Sequence, residues 1–298
     1  YRSLEIDPKI SNSATLSTFH GCPKDEIEAI VKYLIAELGL HVIVKCNPTQ
    51  LGFEWVGDTL RKEMGYAHIE LDEEAFSHDL SFDDAVPLVR RLEAFAKEHG
   101  RCFGAKYTNT LIVSHAGSVM TNIEPGVPDK VMYLSGKPLH VISMNGMHNM
   151  RTAVGSDLHI SFSAGIDKDN FVDAAACYMR PITTCTDLLN KGGYARLPLY
   201  LRNLGRAYDE VGAHTMLEFL RARAGDDTLT AEEAGHVNAQ NIVPGLKSDP
   251  RYLNAQNTAF PPRVESRLET FDCLTCNICL PVCPNAATFN IPVGKREI

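Results

Sequence analysis

The chain has 298 residues, of which 44% are hydrophobic, and a formal net charge of −8 at pH 7; this length suffices for one large core or two smaller ones. The acidic balance and the lack of a basic block argue against a nucleic-acid partner. No apolar run approaches the roughly 18 residues of a membrane span, so we expect no membrane span.

Short apolar runs alternate with helical patterns from the start of the chain, which is typical of an α/β fold. The first predicted strand is residues 14–18, and a helix follows from Pro23 to Leu38, ended by Gly39. The mostly apolar run 41–45 predicts a buried parallel strand. The apolar stripe of the helix consists of Ile27, Ile30, Val31, Leu34 and Leu38.

A second helix is predicted from Ser81 to His99. Ser81 and Asp84 resemble a capping box at its start, and Gly100 follows its end. The remaining predicted strands are residues 102–107, 158–163 and 181–185, with a short extended segment at 66–71.

These elements make about five βα units, whereas a (β/α)8 barrel needs eight over about 250 residues. We therefore predict an α/β fold in which residues 1–210 form the last five units of a TIM-type barrel, and we expect three further strands upstream of Tyr1. Residues 211–268 are predicted as a helical segment and linker, with a capping box at Thr230–Glu233. Residues 269–298 are predicted as a ferredoxin-like segment.

The densest motif is a cysteine run near the end of the chain. Cys273, Cys276, Cys279 and Cys283, followed by Pro284, have the C-x2-C-x2-C-x3-C-P spacing of a [4Fe–4S] cluster. A structural zinc site is the alternative, although zinc sites usually use two C-x-x-C pairs separated by a longer loop. The spacing favours the iron–sulfur cluster.

The sequence contains no second cysteine run to accompany this one. In two-cluster ferredoxins the fourth cysteine of such a run ligates the other cluster, so the first cluster needs a thiolate from a second run. We expect that second run beyond Ile298, the alternative being recruitment of a single cysteine. The single cysteines are Cys22, Cys46, Cys102, Cys177 and Cys185. Unpaired thiols beside a cluster indicate a reducing, cytoplasmic compartment.

Cys22 is a candidate catalytic thiol. It stands before Pro23, at the predicted start of a helix and close to His20. A helix dipole and a neighbouring imidazolium can each lower a thiol pKa, which suggests a reactive thiolate or a proton donor. The alternative is a small buried residue in a tight loop.

Polar side chains follow two of the predicted strands. Lys45 and Asn47 lie at the end of one, and Thr108, Asn109 and Thr110 at the end of another. The carboxyl ends of parallel strands are where α/β folds place chemistry, and an Asn amide can bind the edge of an amide-containing ring. A surface lysine and an Asx-turn are the alternatives.

Three small or glycine-containing segments follow the last predicted strands: residues 163–165, residues 184–187, and Lys191 with Gly192 and Gly193. Loops in these positions of a barrel commonly bind phosphate. A plain Gly-Gly turn is the alternative.

Taken together, the segments resemble a known family. They are STFHGCP, HVIVKCNPTQLG, AKYTNT, YLSGKPL, SFSAGID and TTCTDLLNKGGY, in this order along the chain. With the cysteine run, they resemble the selenate reductase iron–sulfur family, and they are more distantly similar to the flavin barrel of dihydropyrimidine and dihydroorotate dehydrogenases.

The resemblance implies an FMN-binding barrel followed by a ferredoxin-like domain. It implies that Lys45 contacts the flavin, and that Asn109 with Thr108 and Thr110 faces the flavin and substrate. From its position after Lys45, we predict that Asn47 brings an amide to the same anion or heterocycle. The residues implied at the FMN phosphate are Gly165, Thr184, Gly192 and Gly193. Cys22 would lie near the loop that carries the proton donor. Two departures are Ala164, where flavin barrels usually have glycine, and the order His-Gly-Cys-Pro around Cys22.

Members of this family also resemble the small subunit of glutamate synthase, which implies FAD and NAD(P)H sites in parts of the protein outside these residues. We therefore expect an oxidoreductase component that passes electrons between NAD(P)H, flavin and an acceptor through [4Fe–4S] clusters. The acceptor would be a small-molecule redox substrate or a partner oxidoreductase such as a molybdenum-dependent hydroxylase. The alternative is a non-catalytic barrel that serves as a docking scaffold for that partner.

Overall fold

A computed structural model of the chain describes residues 10–17, 22–115, 132–190 and 192–257. The chain divides into two compact units, Tyr1–Ala259 and Phe260–Ile298, and the described residues lie in the first. The cysteine run that we predict to hold a cluster lies outside the described residues.

The described strands form two sheets. The strands are β1 (Ser13–Leu16), β2 (His41–Cys46), β3 (Ile69–Leu71), β4 (Phe103–Tyr107), β5 (Leu111–His115), β6 (Met132–Leu134) and β7 (His159–Phe162). The first sheet is parallel with the order β1-β2-β4-β7, and the second has the order β3-β5-β6.

Helices connect the strands. They are α1 (Lys24–Ala36), α2 (Phe53–Asp58), α3 (Glu73–His78), α4 (Phe82–Glu98), α5 (Lys137–Val154), α6 (Phe171–Ala176), α7 (Leu197–Val211), α8 (Met216–Ala224), α9 (Ala231–Ile242) and α10 (Asn254–Asn257). Within the part of the chain that the structure describes, none of them has the length and apolarity needed to cross a membrane. The parallel strands and their helical connections confirm the predicted α/β class.

The helices cover one face of the parallel sheet. Val44 of β2 and Ala105 of β4 share a small apolar pocket with Leu88 of α4. Because side chains alternate along a strand, Lys45 and Lys106 lie on the opposite face, which we call the inner face. Ser161 of β7 is the register partner of Lys106 and lies on the same face.

The last predicted strand, residues 181–185, is wrong in extent. A single parallel bridge between Phe162 and Ile182 stands in its place. Pro181 has no backbone N–H to donate to a ladder, so the pairing is confined to the residues beside it. The carbonyl of Pro181 accepts from Phe162 N, and Thr183 N donates to Phe162 O.

The two long helices predicted in the first half are present. In α1 the apolar stripe ends at Ile35, which is buried, whereas Leu38 is 46% exposed; the inclusion of Leu38 was wrong, because the helix ends at Ala36. Gly39 follows with a φ of 63°. At the start of α4, Ser81 Oγ accepts from Asp84 N over 3.1 Å, which confirms the predicted cap.

The second sheet is antiparallel and extends from the end of β4. β5 begins at Leu111 and pairs with both β3 and β6. The sequence predicted only an extended segment around β3. The helices α7 and α8 were not predicted individually, whereas the capping box of α9 is confirmed: Glu233 N donates to Thr230 Oγ1, and Thr230 N donates to Glu233 Oε2.

Candidate functional site

The carboxyl ends of β2 and β4 bring two asparagines into contact. Cys46 and Tyr107, the last residues of the two strands, are register partners, so Asn47 and Asn109 leave the sheet side by side. Asn109 Nδ2 donates to Asn47 Oδ1 over 2.6 Å, and both residues are buried. Thr108 Oγ1 donates to Cys46 O over 2.5 Å and ties the same two strand ends together.

Lys45 is the next-to-last residue of β2, close to this asparagine pair, and its side chain lies on the inner face. Its register partner across the sheet is Lys106, so two ammonium groups stand on neighbouring strands. Lys106 Nζ donates to Thr183 Oγ1 over 3.2 Å. Burial lowers the pKa of Lys45, while burial and then the charge of Lys45 lower the pKa of Lys106. This edge of the sheet is therefore rich in hydrogen-bond donors and positive charge.

Cys22 does not have the lowered pKa that the sequence suggested. Burial, and secondarily the carboxylate of Glu26, raise the pKa of its thiol. Helix α1 begins at Lys24, with Pro23 as its N-cap residue, so the thiol stands outside the first turn, where the helix dipole acts most strongly. The raised pKa favours a protonated thiol, which is compatible with the proton-donor alternative; the catalytic role of Cys22 stays a prediction.

The loops after β7 and β6 contact one another through backbone atoms. Gly165 has a φ of 55°, and a Cβ at this position would come within 2.2 Å of the Gly136 carbonyl oxygen. Gly136 immediately precedes α5. Only glycine allows both the left-handed φ and this close approach.

Other groups around this loop already have partners inside the protein. His140 Nδ1 lies 2.8 Å from Ala164 O and donates to it, so the carbonyl of the residue that departs from the flavin-barrel pattern is engaged. Thr184 Oγ1 donates to Ile166 O over 2.9 Å. Burial lowers the pKa of His140 to about 4, so its ring is neutral near pH 7.

A cavity of about 390 Å³ lies beside these loops. The residues that line it are Ser135, Gly136, Lys137, Pro138, Asp167, Asp169, Thr186, Asp187, Asn190, Arg196 and Asn257. Its volume falls within the range of small-molecule sites, about 300–1,000 Å³. The cavity brings Lys137, at the first turn of α5, to the same space as Arg196.

An ion pair orders one wall of this cavity. Arg196 holds Asp187 through two hydrogen bonds, Nε to Oδ2 over 3.0 Å and Nη2 to Oδ1 over 2.6 Å. Tyr200 OH donates to Asp187 Oδ2 over 2.7 Å. Gly192 and Gly193 form a turn before Arg196, with φ values of 103° and 49°; they do not line the cavity.

The structure therefore divides the predicted site residues into three groups. Lys45, Asn47, Thr108 and Asn109 meet at the carboxyl ends of β2 and β4. Gly165 lies in the loop after β7, where Thr184 donates to the neighbouring Ile166 O, and Cys22, Gly192 and Gly193 belong to neither group. Among the described residues, no three His, Cys, Asp or Glu side chains converge as a metal site; the predicted metal ligands Cys273, Cys276, Cys279 and Cys283 lie outside those residues.

Sequence reasoning did not single out Lys106, Gly136, Lys137 or Arg196. Lys106 carried a signal: like Lys45, it is a charged residue next to the end of an otherwise apolar strand. The other residues come together only through the fold, because Gly136 precedes a helix that the sequence did not predict.

The sequence profile of the family described as "Oxidoreductase YgfK, N-terminal TIM-barrel domain" matches residues 2–233. Two relatives, from Escherichia coli strain K12 and Escherichia coli O157:H7, are named oxidoreductase YgfK. Each is 40% identical to this chain over 228 residues. The matched region covers 76% of the chain and 21% of the relative. The chain thus spans about a fifth of the length of these curated relatives. The family match confirms the predicted TIM-type fold.

Proposed function

The chain belongs to the family of the N-terminal TIM-barrel domain of the oxidoreductase YgfK, and we propose that it is a flavin-binding and iron–sulfur part of a larger oxidoreductase. The observation that carries the proposal is the convergence of Lys45, Asn47 and Asn109 at the carboxyl ends of two neighbouring strands. We propose that electrons pass from the barrel edge to a [4Fe–4S] cluster held by Cys273, Cys276, Cys279 and Cys283.

The donors at the edge suit the ring of a flavin. A flavin presents carbonyl oxygens and ring nitrogens along one side, and Lys45 offers an ammonium while Asn47 and Asn109 offer amides. When bound, FMN supplies the hydride- and electron-transfer chemistry, while the protein orients it and sets its electrostatics. In this assignment Lys45 places positive charge beside the ring, and the asparagine pair fixes the ring position.

We assign the other end of FMN to the cavity. Lys137 and Arg196 line it together with three aspartates, Asp167, Asp169 and Asp187. Lys137 Nζ lies 3.9 Å from Asp167 Oδ2, and Arg196 is hydrogen-bonded to Asp187, so a phosphate would share both cations with these carboxylates. Gly136 and Gly165 hold the two loops close together. We propose that the phosphate lies here, near Gly165 and Thr184, rather than against Gly192 and Gly193, which form a turn outside the cavity.

The cluster proposal rests on the cysteine run and its C-x2-C-x2-C-x3-C-P spacing. We further propose, from the resemblance to the selenate reductase iron–sulfur family, that FAD and NAD(P)H sites lie in parts of the protein beyond these residues. The acceptor would then be a small redox substrate or a partner oxidoreductase, such as a molybdenum-dependent hydroxylase, in a cytoplasmic setting.

Flavin analysis of the chain, purified without oxygen, tests the barrel part. We expect bound FMN in the purified chain, a large loss in Lys45→Met and Asn109→Ala, and retention in Asn145→Ala. Asn145 is a matched control because its amide donates to Val141 O within α5. A folded chain with full iron content and no flavin would overturn the barrel assignment.

Metal analysis tests the cluster part. We expect iron and acid-labile sulfide, with visible absorbance that is lost in Cys276→Ser. Cys102→Ser is the control, because Cys102 is an exposed cysteine outside the run. Stoichiometric zinc in a colourless protein would favour the structural-zinc alternative.

A second candidate function is the docking scaffold without bound flavin. It is favoured by the engagement of site groups with one another: Asn109 with Asn47, and Ala164 O with His140. The two functions separate in one measurement, since a scaffold would transfer electrons to its partner equally well in Lys45→Met and in the unmodified chain.

A further inference from the structure

The inner face of the parallel sheet carries two lysines where one would serve the proposed flavin. Lys45 and Lys106 are register partners on neighbouring strands, and strands in a sheet lie about 4.8 Å apart. Both side chains project from the same face at the same level. Two ammonium groups held this close repel each other, and partial burial strengthens the repulsion by excluding water.

Lys106 is hydrogen-bonded to Thr183, which follows the bridge residue Ile182. Lys106 Nζ donates to Thr183 Oγ1, and a hydroxyl leaves the ammonium charge uncompensated. Among the described residues Lys106 forms no ion pair. Its register partner on the other side is Ser161, whose Oγ donates to Pro181 O over 2.9 Å. On this side of the sheet Lys106 is thus flanked by Lys45 on one strand and by the hydroxyls of Ser161 and Thr183 on the other side.

We propose that Lys45 and Lys106 together bind an anionic group of the substrate, a carboxylate or a compact oxyanion, on the inner face of the sheet. An anion between the two ammonium groups turns their repulsion into two attractive, charge-assisted contacts. The lowered pKa of Lys106, which is caused by burial and then by Lys45, fits two charges that share one site. The assignment of this anion to the substrate rests on the proposed oxidoreductase function, whereas the anion site itself does not.

The proposal also gives the two lysines different tasks. Lys45 lies next to Asn47 and contacts both the proposed flavin and the anion. Lys106, held by Thr183, lies one strand further and acts on the anion alone. The inner face would thus select acidic substrates over neutral ones of the same size.

Calorimetric titration of the full chain with oxalate and with sulfate tests the site, at constant ionic strength maintained with sodium chloride. We expect binding of at least one of these probes to the unmodified chain, and at least about tenfold weaker binding in Lys106→Met. Lys106→Arg should keep most of the affinity, because the charge and the donor to Thr183 remain. Lys97→Met is the control, since Lys97 is an exposed lysine of α4 on the far side of the helix layer.

Three results would overturn the proposal: no binding of either probe to the unmodified chain, equal binding in Lys106→Met, or an equal loss in Lys97→Met. Near-ultraviolet circular dichroism of each variant shows whether its fold is kept. If Lys106→Met does not fold, the anion affinity of Lys106→Arg is compared with that of the unmodified chain instead. Flavin content, measured on the same samples, separates the two assignments. Anion binding without FMN would refute the proposed flavin but not the anion site. FMN without anion binding would refute the anion site but not the proposed flavin.

Discussion

Asn109 donates from its side-chain amide to the side-chain carbonyl of Asn47 over 2.6 Å, and both residues are buried. One hydrogen bond therefore joins the segments that follow two adjacent parallel strands. The two residues are 62 positions apart in the sequence, so the contact forms only when β2 and β4 are paired in their native register.

The first prediction concerns this bond. Asn109→Ala leaves the buried Asn47 carbonyl without its partner, so we expect a loss of about 1–3 kcal/mol in the free energy of unfolding. Asn47→Ala should cost a similar amount, and the double variant should cost less than the sum of the two. Urea unfolding followed by far-ultraviolet circular dichroism measures all three. Strictly additive losses would show that the two amides act independently.

The second prediction concerns Gly165. Alanine there must adopt a left-handed φ and also place its Cβ against the Gly136 carbonyl. Gly225→Ala is a matched control, because Gly225 has a φ of 77° but no atom within 4 Å of an added Cβ. We expect the control to cost about 1–2 kcal/mol from backbone strain alone, and Gly165→Ala to exceed it by about 1–3 kcal/mol of overpacking. Equal losses in urea unfolding would contradict the close contact.

The third prediction concerns pH. Burial, and to a smaller extent the charge of Arg251, lower the pKa of His140 to about 4, while its bond to Ala164 O and Asp249 act in the opposite direction. The folded state thus resists protonation that the unfolded chain accepts near pH 6.5. His140 contributes stability that is fully present above pH 6.5 and is lost as the pH falls from there to about 4, by up to about 3 kcal/mol.

His140→Phe removes this titration while keeping an aromatic ring stacked against Tyr252. The variant loses the bond to Ala164 O at every pH, so its absolute stability falls. The diagnostic quantity is the slope of unfolding free energy against pH between about 4 and 6.5, which we expect to be shallower in the variant. Other groups contribute to the slope in both proteins: burial lowers the pKa values of His148, His159 and His236, and several carboxyl groups also have shifted pKa values. Parallel curves for the two proteins would refute the role of His140.

The fourth prediction concerns the start of α9. Thr230→Ala removes the side-chain acceptor of Glu233 N and the hydroxyl that donates to Glu233 Oε2. We expect a loss of about 1 kcal/mol in the free energy of unfolding, with most of it restored in Thr230→Ser. A thermal melt that does not change in Thr230→Ala would show that α9 is held by its packing alone.

Local sequence patterns predicted the elements whose signals lie within one segment. The stripe and glycine end of α1, the cap of α4 and the capping box of α9 each combine a period with a start or stop residue, and all three helices are present. The alternation of apolar runs with helices also gave the α/β class, because parallel strands buried on both sides read as continuous apolar runs.

Features that depend on contacts between distant segments were not predicted. The pairing of β5 with β3 and β6 is long-range, and α5 starts in a Ser-Gly-Lys-Pro segment that reads as a turn. At the candidate site the sequence found Lys45, Asn47 and Asn109, since polar residues at strand ends stand out locally. It missed Lys106, whose importance depends on strand register, and Arg196, which reaches the cavity only through the fold.

The segment 108–110 connects the end of β4 to the start of β5, so it is anchored in both sheets. Tyr107 and Leu111, which flank it, are 1% and 0% exposed. The backbone around Asn109 is thereby preorganised: the conformational entropy of this segment is lost during folding, and a ligand that meets it has little left to order. Ligand contacts at Asn109 would accordingly be rigid ones, with selectivity set by shape and donor position. The backbone amide of Asn109, which donates to Cys46 O over 3.1 Å, would exchange slowly with solvent.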